Sequence, residues 1–158
     1  MTPAINVVKK KNISHKVHTY SHDESSQSYG LEAAQKMGVP AEQVFKTLVV
    51  SLDSKELIVA VIPVSAMLSL KRIAKAAGAK RAVMADKSEV ERSTGYVLGG
   101  VSPLGQKKRL KTIIDESANN YPSIYISAGR RGLEIELNIN DLLTLSKGSL
   151  FELTQKTY

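Results

Sequence analysis

Residues 45–63, FKTLVVSLDSKELIVAVIP, decide the fold. Two apolar runs, Phe45 to Leu52 and Glu56 to Pro63, flank the polar triplet Asp53-Ser54-Lys55. β-Branched runs on either side of a short turn read as a β-hairpin. Apolar residues at consecutive positions, rather than alternate ones, predict strands buried on both faces. Lys46 interrupts this pattern near the start of the first strand. Lysine is almost never fully buried unless paired. A cation there either binds an anionic oxygen or phosphate, with partial burial lowering its pKa, or snorkels to solvent.

Outward from the hairpin, strands and helices interleave irregularly. Upstream, Thr2-Pro3 suits a helix start, and Ile5 and Val8 give that helix an apolar side. Lys9, Lys10 and Lys11 read as its solvated C-terminal end. His15 to Tyr20 reads as a strand, Ser21 to Ser28 as a polar loop, and Leu31 to Met37 as a helix closed by Gly38. Downstream come a helix over Ser69–Ala77, a strand over Ala82–Ala85, and a helix over Lys87–Arg92 with Asp86 and Glu89 as a capping box. Strands follow at Leu110–Ile114, Ser123–Ser127 and Leu133–Leu137, with a glycine-bounded turn over 128–132. Asn138 caps a helix over Asn140–Ser146 ended by Gly148, and Leu150–Thr154 is a last strand. This order predicts an α+β fold: one domain over residues 1–158, with a mixed, curved, barrel-like sheet and helices packed around it.

The stretch Ser93 to Arg109, STGYVLGGVSPLGQKKR, is too glycine-rich for a helix. It predicts a loop in which Gly99, Gly100, Val101, Ser102 and Pro103 floor a small-molecule or nucleotide-ester pocket. Backbone N–H groups there suit a developing oxyanion. Lys107, Lys108, Arg109 and Lys111 follow directly, and Arg130 and Arg131 sit in the second glycine turn. If the two turns meet at one end of the sheet, these cations form a positive rim.

The net charge of +7 over 158 residues and a pI near 9.6 favour an anionic partner, nucleic acid first and an acidic membrane surface second. Aromatic residues make up 5% and Trp is absent, so RNA contact should be to phosphate and shape rather than to stacked bases. The absence of Cys excludes a disulfide framework, thiolate zinc and a cysteine nucleophile. No GxSxG, GxxxxGK[ST] or HExxH pattern occurs. His15, His18 and His22 fall on a strand and loop, a poor zinc-ligand arrangement. With no signal peptide or membrane-span pattern, a cytoplasmic protein without metal or cofactor is expected.

TGYVLGGVSPLGQKKR, FKTLVV and SAGRRGLEIEL together resemble the YbaK/EbsC family over nearly the whole chain. That family includes free-standing Cys-tRNA(Pro) deacylases and is related to the editing domain of bacterial prolyl-tRNA synthetases. The family's lysine on the first hairpin strand matches Lys46, and its GxxxP loop matches Gly99 to Pro103. The resemblance implies the editing-domain fold and a trans-editing hydrolase that deacylates mischarged Cys-tRNA(Pro). It implies no protein nucleophile: the substrate's own thiol attacks its carbonyl. In this frame Lys46 holds the phosphate or ribose end of the tRNA, or polarises the ester, and Gly99 and Gly100 position the carbonyl. Tyr20, Phe45, Thr47, Ser102 and Pro103 line the amino-acid pocket, closed by Ser127 and Gly129. Lys107, Lys108 and Arg130 meet the acceptor stem. Prolyl-tRNA synthetase is the expected partner, in a weak ternary complex with aminoacylated tRNA(Pro). An Ala-tRNA(Pro) deacylase and a non-catalytic basic RNA-binding module are the alternatives.

Overall fold

A computed structural model describes residues 1–26 and 28–156. The elements run α1 (Pro3–Lys10), β1 (His15–Thr19), α2 (Tyr29–Met37), β2 (Val44–Leu52), β3 (Leu57–Pro63), α3 (Leu70–Ala76), β4 (Ala82–Met84), α4 (Lys87–Thr94), β5 (Lys111–Asp115), β6 (Ile124–Arg130), β7 (Leu133–Leu137), α5 (Ile139–Ser146) and β8 (Ser149–Phe151). Short 3-10 turns cover Ala41–Gln43 and Glu116–Asn120. No helix among the described residues is long and apolar enough to cross a membrane.

All eight strands join one sheet in the order β1-β7-β6-β2-β3-β5-β8, with β4 paired to β2 off this path. The sheet is mixed, as expected: β2–β6, β3–β5 and β5–β8 are parallel, the rest antiparallel. The hairpin is its centre, with Phe45 opposite Pro63 and Ser51 opposite Leu57. Period-two alternation sends Phe45, Val49, Val59 and Val61 into one core cluster and Val50, Ile58, Ala60 and Ile62 into another on the opposite face. Helices cover both.

One feature of the pairing positions the site. β2 carries β3 along one edge, while its other edge holds β6 at Val44 and Phe45 and β4 from Val50 to Leu52. Between them, Lys46 to Val49 has no strand partner on that side. Val64 N–H donates to the Val44 carbonyl and Leu52 N–H to that of Glu56, so even-numbered residues of β2 point their peptide groups at β3. The peptide groups of Thr47 and Val49 face the gap, where the Val49 carbonyl accepts from Ala85 N–H at 3.1 Å. The β2–β6 pairing ends at Phe45 opposite Ile126, and β6 bulges just beyond, between Ser127 and Arg130.

The local signals were accurate at most ends. The Thr2 hydroxyl accepts from Ile5 N–H, that of Ser69 from Arg72 N–H, and the Asn138 side chain from Asn140 N–H. Gly38 takes the left-handed cap of α2. Four expectations are corrected. Asp86 and Glu89 form no capping box, since Asp86 makes no side-chain cap bond. The left-handed residue ending α5 is Lys147, at φ 54°, ahead of Gly148. Ala128 to Arg130 belong to β6, which shortens the second turn to Arg131-Gly132. β2 is only half-buried from Lys46 to Leu48, where the gap opens, rather than buried on both faces throughout.

Candidate active site

The unpaired edge of β2 opens into a cleft of about 410 Å³. Its wall and floor come from β2, the start of α2, the 98–101 segment and the β6–β7 hairpin. Of the residues singled out by sequence, Tyr20, Phe45, Lys46, Thr47, Gly99, Val101, Ser127, Arg130 and Arg131 line it.

Lys46 has no ion pair among the described residues. Burial alone pulls its pKa below the ordinary lysine value. It is a half-buried cation in a mostly apolar cleft. Next to it, the Thr47 hydroxyl oxygen is buried with no hydrogen-bond partner among the described residues. An unpaired buried hydroxyl costs free energy unless a ligand completes it.

The glycine loop is pressed against the β6 bulge, so the two glycine turns do meet. A Cβ on Gly100 would lie 2.8 Å from Arg130 Cα, a backbone atom that cannot swing away. Gly99 has φ +96°, and a Cβ there would lie 2.5 Å from the Tyr29 ring. The Ser127 hydroxyl donates to the Gly100 carbonyl at 3.3 Å and accepts from Gly129 N–H at 3.1 Å, stitching loop to bulge. Gly100 N–H is already given to the Val97 carbonyl at 2.9 Å. The expectation that it positions a substrate carbonyl is therefore corrected: that donor is closed within a turn. Gly99 N–H and Val101 N–H make no such bond among the described residues.

Other sequence-selected residues lie outside the cleft. Ser102 is fully buried and its hydroxyl accepts from Leu104 N–H at 3.2 Å. Pro103 and Lys108 line a different groove. Gly129 packs against Tyr96, whose hydroxyl donates to the Leu104 carbonyl at 2.6 Å. Lys107 is exposed, its N–H bonded to the Thr94 carbonyl at the end of α4. The expected rim of cations is thus divided, with Arg130 and Arg131 at the cleft and Lys108 and Arg109 elsewhere.

Tyr29 and Glu134 line the cleft without having been singled out, and Arg131 was expected only as a rim cation. The Arg131 guanidinium lies 3.5 Å above the Tyr29 ring. Glu134, opposite Ser127 in the β6–β7 pairing, is buried, and desolvation pushes its carboxyl up to about 8. It can stay protonated near neutrality until a cation or donor arrives. The alternation of LEIEL hid it, because alternate charges on a strand normally face water; the only signal was its place beside a glycine turn.

Among the described residues the cleft holds no nucleophile–base pair. His18 bonds Glu136 and His22 bonds Glu32, each at 2.9 Å. The His22 bond is also the main reason the Glu32 carboxyl is held below its usual range. No cleft hydroxyl is bonded to a histidine among the described residues.

The model of the aminoacyl-tRNA editing domain matches residues 25–145. A protein of Enterococcus faecalis with the provisional name Cys-tRNA(Pro)/Cys-tRNA(Cys) deacylase EbsC is 37% identical over 155 residues, covering 98% of this chain and 94% of that one. A crystal structure described provisionally as a trans-editing enzyme for prolyl tRNA synthetase superposes with a TM-score of 0.83 at 23% identity, over 99% of each chain. A hypothetical protein of known structure gives 0.85 at 22% identity, over 97% of this chain and 99% of its own.

Proposed function

Because the chain belongs to the aminoacyl-tRNA editing domain family, we propose that it is a trans-acting deacylase that clears Cys-tRNA(Pro), with the aminoacyl ester seated in the cleft at the β2 gap. The observation that carries this reading is Lys46: an unpaired, half-buried cation facing an apolar cleft beside the Gly99–Val101 segment. Such a cation in a dry site stabilises charge developing on an ester oxygen far better than it could in water.

The chain has no cysteine, and the cleft has no activated hydroxyl. The nucleophile in this reading is the substrate's own thiol. Its sulfur bonds to the carbonyl carbon, the ester C–O bond breaks, and the thiol proton ends on the ribose hydroxyl. The amino acid leaves as a cyclic thiolactone that water then opens. The protein's share is orientation and oxyanion stabilisation. Gly99 and Val101 N–H groups replace the Gly99–Gly100 pair as candidate donors. The Thr47 hydroxyl and the outward peptide groups of Thr47 suit the α-amino end of the substrate. Ser102, Pro103 and Gly129 support the loop from behind.

The activity belongs in the cytoplasm, where tRNA is charged, and a weak complex with prolyl-tRNA synthetase would supply tRNA selection that a cleft of this size cannot. Deacylation of purified Cys-tRNA(Pro) and Ala-tRNA(Pro), with and without the synthetase, tests the reading. Cys-tRNA(Pro) turnover with Ala-tRNA(Pro) untouched is expected. Equal turnover of the alanyl ester would remove the thiol step, and no turnover of either would leave an RNA-binding module.

A further inference from the structure

On the far side of the 99–104 loop from the cleft lies a groove of about 530 Å³. Lys10 and Lys11 at the end of α1, Lys108 and Arg109 after the glycine loop, and Lys147 at the end of α5 all line it. All five are exposed. No Asp or Glu lines the groove, and none of the five forms an ion pair among the described residues. Three chain segments far apart in sequence converge to make it. Helix C-termini attract cations in any protein, which accounts for Lys10, Lys11 and Lys147 separately. It does not account for Lys108 and Arg109, which come from a loop held in place by the Lys107 and Lys108 N–H bonds to the Thr94 and Ser93 carbonyls.

The remaining lining is polar in a particular way. The Thr144 and Ser146 hydroxyls donate inward, to the Asn140 and Leu142 carbonyls. Gln106 gives its amide N–H to the Ser102 carbonyl. With their single protons committed, the two hydroxyls can offer only oxygen acceptors to a ligand, while Gln106 keeps its side-chain oxygen and a second N–H. A ligand that carries anionic oxygens for the cations and hydroxyl donors for these acceptors is a ribose-phosphate backbone. No aromatic side chain lines the groove for base stacking.

We propose that this groove grips the phosphodiester backbone of RNA, independent of base sequence, and holds the body of the tRNA while its 3′ end enters the cleft. The proposal rests on the deacylase reading only for the identity of the RNA. Val101 lines the cleft and Pro103 the groove, so two residues, or about 7 Å of chain, separate the two surfaces.

The test is the triple variant Lys10→Gln, Lys11→Gln, Lys147→Gln, with Lys71→Gln, Lys75→Gln, Lys80→Gln as a control that removes equal exposed charge elsewhere. Binding of uncharged tRNA and of a DNA hairpin of matched length is measured across salt, together with turnover of cysteinyl-adenosine, which is too small to reach the groove. For the groove variant we expect tRNA affinity to fall about tenfold and the slope of log affinity against log salt to become shallower by about 2 to 3. Cysteinyl-adenosine turnover should be unchanged, the control triple should keep most of the affinity, and DNA should bind the wild type more weakly than tRNA. An unchanged salt slope, an equal loss in the control, or equal affinity for DNA would each overturn the proposal. A protein that turns over no ester would refute the deacylase reading while leaving the binding measurement intact.

Discussion

The cleft and the basic groove lie on two sides of one loop and treat charge in opposite ways. The cleft is mostly apolar, and burial alters two of its charges: Lys46 is pulled down and Glu134 pushed up. The groove collects five exposed cations and no carboxylate. A desolvated charge interacts strongly with one partner at close range, whereas solvated charges add many weak, salt-screened contacts. The division fits an enzyme whose reacting ester is small and whose substrate is a large polyanion. It also makes the two surfaces separable, since changes in the cleft should act on turnover and changes in the groove on affinity.

Lys46→Ala is the largest expected break. Removing this half-buried, unpaired cation should cost about 10²- to 10³-fold in kcat/KM towards Cys-tRNA(Pro), within the range of a lost oxyanion stabiliser. Melting temperature should hold or rise, because an unpaired desolvated charge disappears. If Lys46 acts on the developing oxyanion, the loss falls in kcat; if it holds a terminal phosphate, it falls in KM. Unchanged turnover would remove Lys46 from the site.

Glu134→Gln tests the other buried charge through pH. The carboxyl ionises near 4.5 in a free chain and at about 8 in the fold. Between those values the folded state binds the extra proton, so this group's contribution to stability is complete below 4.5 and is lost as pH rises to about 8. Glutamine never ionises. The variant should match the wild type at pH 4.5 and exceed it at pH 8 and above, by on the order of 4 kcal/mol. Urea unfolding at the two pH values measures the difference, and a constant difference would mean that Glu134 is ionised throughout.

Gly100→Ala should destabilise by about 2–3 kcal/mol, because its Cβ meets Arg130 backbone rather than a movable side chain. The sequence pointed to this loop but misread how Gly100 serves it. Density of glycine announces close approach of backbone, and here the approaching partner is the β6 bulge rather than substrate. The same limit recurs elsewhere. The hairpin, most helix caps and the loop were legible because their signals lie within a few consecutive residues. The β2 gap was not, since it depends on where the pairing with β6, some eighty residues later in the chain, stops. Burial of Glu134 likewise depends on a segment distant in sequence, around Tyr20. The lysine run at 9–11 reads as a solvated helix end until Lys108, Arg109 and Lys147 are brought beside it.

The smallest expected effect bears most directly on the contrast between the surfaces. Arg131 is a cation in the cleft wall, yet its guanidinium sits over the Tyr29 ring, and one of its Nη atoms donates to the Ser26 carbonyl at 3.3 Å. A cation held by a ring quadrupole in a partly desolvated wall contributes about 0.5–2 kcal/mol. Tyr29→Leu keeps apolar cover but removes the ring, so it should lower stability by about 1 kcal/mol. A double-mutant cycle with Arg131→Met should return a coupling of similar size. That coupling should be the same at 50 and 500 mM salt, because counterions cannot displace a contact face at this range. RNA affinity at the groove should fall by orders of magnitude over the same interval. If the Tyr29–Arg131 coupling fades with salt in step with RNA binding, the cleft wall is as solvated as the groove, and the physical distinction between the two surfaces fails.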